Sequence, residues 1–198
     1  MNQKHTENFY VLMQQRVANF SIGPSTLRGM GPEKTAEAVK SFLEKSSLLV
    51  LFAEAGSEKE FVKRLDNQTK LLQKNLPGGV KIRREEPIGE WGARWGVARK
   101  CLNIFLYECL NNRWLSKKHS GLLEIEPWLE VPLDSFVGKK LCSEADKSEN
   151  LPAWKKVTEL TQDDSRKYQK FASKLAIKKG IHRVHLDLEF YNNRKKSD

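Results

Sequence analysis

The chain has 198 residues, 39% hydrophobic and 30% charged, with 35 basic against 25 acidic side chains and a formal charge of +10. That length sets an expectation of a single domain, the apolar fraction supplies a core, and the mixture of signs excludes wholesale disorder. A basic excess of this size favours a polyanionic partner, nucleic acid being the commonest, although plain solubility gives the same composition. Cys101, Cys109 and Cys142 form no CxxC pair. This argues against a zinc ribbon, a four-cysteine iron–sulfur cluster or a disulfide framework, and for small core residues in a reducing compartment. No apolar run reaches the length of a membrane span, and residues 1–20 lack the apolar stretch of a signal peptide. The expectation is a soluble, cytoplasmic protein without membrane attachment, cofactor or obligate protein partner.

Residues 6–20 set Phe9, Leu12, Met13, Val17 and Phe20 at helical spacing and predict a helix buried on that face. The stretch 21–32 is rich in Gly and Pro, which forbids a long helix and allows a short turn at 25–28. A helix follows with Ala36, Val39, Phe42 and Leu43 on one side. Such a loop can hold an anion on free backbone N–H groups, with Arg28 as the side chain. It is neither a P-loop nor a dinucleotide fingerprint, and a tight connection between helices is the plainer account. Residues 46–55 are apolar and fit a buried helix. Ser57 with Glu60 three residues on is a capping box for a helix to about Asn75, stopped by Pro77-Gly78-Gly79. A polar connector, 80–87, leads to a turn bearing Trp91 and Trp95.

From Val97 the pattern is helical to Leu115 or Lys118, long enough to cross the middle of an all-α domain, with Arg99, Lys100 and Arg113 off its densest apolar stripe. Gly121 opens a linker in which Pro127 and Pro132 forbid regular helix. Asp134 is a plausible N-cap for a helix from Ser135. After a polar loop at 143–151, Trp154 anchors a short helix. Thr161 with Asp164 starts another that ends at Gly180. His182, His185, Asp187 and Glu189 fit a terminal segment better than a metal site, and no metal is expected. The predicted architecture is an all-α, two-lobed helical domain, with lobes at roughly 1–90 and 91–190 and a mobile basic tail at 191–198.

The segments Trp95-Gly-Val-Ala-Arg-Lys-Cys-Leu-Asn and Val131-Pro-Leu-Asp-Ser-Phe-Val resemble the helix-hairpin-helix DNA glycosylase superfamily. The Pro-Leu-Asp-Ser-x-Val form is most similar to its archaeal-type 8-oxoguanine DNA glycosylase branch. The resemblance spans the middle quarter of the chain and implies removal of a damaged, oxidised base from DNA. It implies that Asp134 is the catalytic carboxylate and Lys100 the amine that attacks the sugar C1′ in members with lyase activity. Gly96 and Ala98 would stand at the hairpin glycines whose N–H groups hold a DNA phosphate. The chain departs from the pattern in three ways. Ala98 replaces the second glycine, Phe136 stands where His is usual, and Lys100 and Asp134 are 34 positions apart.

The chemistry has its own logic. Breaking an N-glycosidic bond builds positive charge on the sugar, which a fixed carboxylate in a dry site stabilises. A lysine is nucleophilic only as the free amine, which burial or nearby positive charge favours, and Arg99 beside Lys100 is placed to supply the latter. Base flipping needs aromatic stacking surface. Trp91, Trp95, Phe136 and Tyr107 are the candidates. Phosphate contacts are expected from Gly92, Arg94, Trp95, Gly96, Ala98 and Arg99, and from Lys139, Lys140 and Arg28. Read without the resemblance, Asp134 is an ordinary N-cap and Lys100 a solvated side chain. The alternatives are a nucleic-acid-binding module without catalysis and a helical protein-interaction domain.

Overall fold

A computed structural model describes residues 3–32, 34–45, 47–77 and 94–194. Among these, every regular element is helical. In chain order they are α1 (Gln3–Ser21), α2 (Thr35–Leu43), α3 (Ser47–Ala53), α4 (Glu58–Asn75), α5 (Trp95–Asn111), α6 (Arg113–Lys118), α7 (Gly121–Glu124), α8 (Ser135–Glu144), α9 (Gln162–Lys179) and α10 (Leu186–Arg194). Short 3-10 turns lie at 126–128, 147–149, 157–159 and 183–185. No helix among the described residues is long and apolar enough to cross a membrane.

The helix starts follow local chemistry. Ser57 accepts a hydrogen bond from the Glu60 N–H, and Glu60 reaches back to the Gly56 N–H, so α4 begins with orphan donors satisfied. Thr161 caps α9 through the Asp164 N–H, and Gly180 ends that helix at a left-handed φ of 69°. The long helix expected from 97 to 115 or beyond is broken at Asn112, whose side chain accepts from the N–H groups of Trp114 and Leu115 and starts α6. The linker expected from Gly121 instead forms α7. The short helix expected around Trp154 is absent; residues 151–156 have no regular structure. The tail expected from 191 is helical as far as Arg194.

Helix α5 is the central element, touching α1, α2, α4, α6, α7 and α9. Thirteen of its 17 residues are buried, so it has little solvent face. That corrects the expectation that Arg99 and Lys100 sit on a wetted side: they are 4% and 6% exposed. On α1, Val17 is buried as expected but Phe9, Leu12 and Phe20 are exposed.

The apolar interior forms two clusters. The first gathers side chains from α1 to α7 and the approach to Leu129. The second gathers α8, α9 and α10 with Trp95, Val131, Leu133 and Leu160. The clusters do not divide the chain at a single point: Val157 and Val184 belong to the first and Trp95 to the second. Trp154 packs against both, edge-on to Tyr168, and a Cβ on Gly138 would overlap its indole.

Candidate active site

Three segments bring titratable groups together where the two clusters meet. Asp134 leaves an extended, buried stretch (Glu130, Val131, Pro132, Leu133) and becomes the N-cap of α8, its Oδ1 accepting from the N–H groups of Phe136 and Val137 at 2.9 Å each. Pro132 stiffens the approach, and the cap fixes the carboxylate against the positive end of the helix. Lys100 is buried on the second turn of α5 and donates from Nζ to the Thr26 carbonyl at 2.9 Å, on the 22–31 loop. Asp187 stands in the first turn of α10. Asp187 is an exposed residue. Even so, burial first and the negative charge of Asp134 second raise its proton affinity to about 6, with Lys100 pulling the other way. Both predicted catalytic groups therefore act electrostatically on Asp187.

A second cluster is built on Arg99, with the Asn103 Oδ1 as a buried atom without a hydrogen-bond partner. Arg99 makes a two-pronged bond to Glu130 (Nε–Oε2 2.7 Å, Nη2–Oε1 2.8 Å) and reaches Asp66 at 2.9 Å and Thr69 at 3.1 Å. Asn103, one turn on, adds a bond to Glu130 at 3.1 Å. Burial opposes both ionised forms, but the mutual charge outweighs it. Glu130 is held below the usual carboxylate range and Arg99 above its own. Arg183 lies close by, donating to the carbonyls of Leu129 (2.9 Å) and Trp128 (2.6 Å).

The remaining predicted residues scatter. Trp91 and Gly92 lie outside the described residues. Gly96 and Ala98 do not form a hairpin turn; they are inside α5 and buried, and Gly96 is small because a Cβ would overlap the Val157 carbonyl oxygen. Arg99 is no phosphate ligand, being committed to two carboxylates, and for the same reason it lends Lys100 no uncompensated positive charge. Trp95 is buried beneath the Arg99 guanidinium, 5.2 Å from the ring centre. Arg94, half-buried, bonds the Pro77 carbonyl. Lys139 and Arg28 are exposed. Lys140 is partly covered and pairs with Glu144 at 2.7 Å. Phe136 is half-buried against the second cluster, and Tyr107 packs 6.0 Å from the His185 ring.

The terminal segment is not a strand. His185 bonds Glu126 at 3.1 Å and Glu189 pairs with Lys179 at 2.6 Å, so these groups tie elements together. Among the described residues no three His, Cys, Asp or Glu groups gather closely enough to hold a metal ion. The Cys101 thiol is pushed up to about 12 by burial, which keeps it from acting as a nucleophile.

Sequence reasoning missed Glu130, Asp66, Gln169 and Arg183. A readable signal existed for Glu130, a lone charge in the apolar run Leu129 to Leu133. Compared with protein-family models, with curated proteins and with solved structures, the chain gives no match.

Proposed function

We propose that the protein is a DNA base-excision glycosylase with lyase capability, acting on an oxidised purine. The observation behind this reading is that Asp134 and Lys100, brought from 34 positions apart, both bear on Asp187 at the meeting of the two apolar clusters. A carboxylate at a helix start is by itself a cap, and a lysine on a carbonyl is by itself a hydrogen bond. Together with a carboxyl that titrates near neutrality, they supply what glycosidic cleavage requires.

In this mechanism the Asp134 carboxylate stabilises the positive charge that develops on the sugar as the C1′–N bond lengthens. The bond's electron pair leaves with the base, which takes up a proton. Lys100 leaves Thr26 and its amine attacks C1′; the C1′–O4′ bond then opens, its electron pair leaving with O4′, which takes up a proton, and the attacking nitrogen gives up its two protons as the imine forms. Asp187 accepts one of them, since a carboxyl near 6 is mostly ionised at pH 7 yet still basic enough to take a proton. Abstraction of the C2′ proton then expels the 3′ phosphate and nicks the strand. The basic excess supplies the attraction for the duplex.

The test is borohydride trapping on a duplex containing a single 8-oxoguanine. A covalent adduct is expected with the wild type and none with Lys100→Ala. Asp134→Asn, which keeps the cap, is expected to lower excision by at least about a hundredfold. Tight, salt-dependent duplex binding without excision of any oxidised purine would replace this reading with that of a non-catalytic binding module.

A further inference from the structure

The three site groups share an arrangement that the proposed reaction does not itself demand. Each is a near neighbour, along the chain, of a residue holding the segment 128–131. Lys100 follows Arg99, which grips Glu130 with two bonds. Asp134 comes four residues after Glu130 in the same buried, extended stretch. Asp187 comes four residues after Arg183, which grips the carbonyls of Trp128 and Leu129 and feels the Glu130 charge. A fourth clamp, the buried Gln169 of α9, pairs its amide with both backbone groups of Val131, accepting from its N–H at 3.2 Å and donating to its carbonyl at 2.8 Å.

We infer that segment 128–131, gripped by Arg99, Gln169 and Arg183, is the positioning element of the active site, with Glu130 setting the separation of Lys100, Asp134 and Asp187. This rests on the glycosylase reading above. Glu130 touches neither substrate nor the reacting atoms; it works through its neighbours. Successive helical residues diverge by about 100°. The bond that turns Arg99 toward Glu130 therefore also fixes the direction of Lys100, toward Thr26. On the other side, about 13 Å of extended chain connects Glu130 to Asp134. Pro132 and the buried Val131 and Leu133 allow that length little slack, so a displacement at Glu130 is passed on to the carboxylate.

A network that only stabilised the fold would make a different prediction. It would change how much protein is folded and leave unaltered how fast each folded molecule works. Single-turnover excision on the 8-oxoguanine duplex separates the two, because its amplitude counts competent molecules and its rate constant reports alignment. Glu130→Asp keeps the buried charges matched but shortens the arm by a methylene, roughly 1 Å. The expected result is an amplitude near that of the wild type and a rate constant about a hundredfold lower, with duplex affinity unchanged. Gln169→Met removes the Val131 clamp without disturbing any charge, and a slower rate constant is expected there too.

A readout independent of activity is the Asp187 titration followed by carboxyl NMR. Its midpoint responds to the distance between the two carboxylates, because the Asp134 charge is one of the causes that raise it. Glu130→Asp is expected to move it from about 6. An active wild type whose rate constant and Asp187 midpoint are the same in both variants overturns the positioning role and leaves the glycosylase reading standing. A wild type without excision removes that reading, and this inference with it.

Discussion

Arg99 and Lys100 are consecutive cations on one buried helix, yet they belong to opposite kinds of electrostatic environment. Arg99 is matched by Glu130 and Asp66, with a further bond to Thr69. Lys100 has one neutral carbonyl at its amine and two carboxylates within electrostatic reach of one another, one of them reluctant to ionise. The first cluster has no chemistry left to do. The second pairs its charges less closely, with one carboxyl raised toward neutrality. The pair shows how one turn of helix can carry two cations in unlike electrostatic surroundings.

The comparison breaks most sharply by removing each cation. Arg99→Met leaves Glu130 buried without its partner, and a loss of about 3–5 kcal/mol is expected in urea denaturation. Lys100→Met keeps the stem packed and forfeits one hydrogen bond, so no more than about 1 kcal/mol is expected, with the borohydride adduct abolished. Equal losses of stability would show that the two cations are not distinguished as described.

A smaller effect separates cap from chemistry at Asp134. Asp134→Ala removes the acceptor for Phe136 and Val137 N–H and is expected to cost about 1 kcal/mol of stability. Asp134→Asn keeps an acceptor and should be close to the wild type in thermal melting. If both variants lose excision while only the first loses stability, the carboxylate has a duty beyond the helix start.

What the sequence made legible divides along the same line. The caps at Ser57, Asp134 and Thr161 and the stop at Gly180 depend on residues a few positions apart, and local spacing reveals them. The matched cluster depends on pairs 31 and 33 positions apart, which periodicity does not report. Polar letters at 99 and 100 read as a solvated face because a helix apolar all round has no sequence mark distinguishing a paired charge from a wetted one. The hairpin expected at Gly96 failed for a related reason. Glycine serves a turn and a close approach equally well, and here its φ is not in the left-handed region while the Val157 carbonyl lies against it. Asp134 and Lys100 drew notice because their motifs are local. That both bear on Asp187 was not legible, since nothing local in the sequence links the terminal segment to either residue.

The smallest expected effect is also the one that tests the sign of the difference. Glu130 has a depressed carboxyl, so its contribution to stability is present above the ordinary glutamate range and is lost as the pH falls through its lowered folded value. Asp187 is the reverse. Its carboxyl is raised to about 6 from 3.8, so the folded state holds its proton more tightly than the unfolded chain does. That contribution is fully present below about 3.8 and is lost as the pH rises through about 6. Asp187→Asn removes the group, and relative to the wild type it should gain stability at pH 7 and none at pH 4. The full shift would overstate the gain because the residue is exposed on one side; screening reduces it to about 1 kcal/mol or less. Urea midpoints at the two pH values measure it, and excision by the variant should lose the rise in rate through pH 6. A variant less stable than the wild type at pH 7 would mean that Asp187 is held by attractive partners, and the contrast between a satisfied and a poised cluster would fail at its most exposed member.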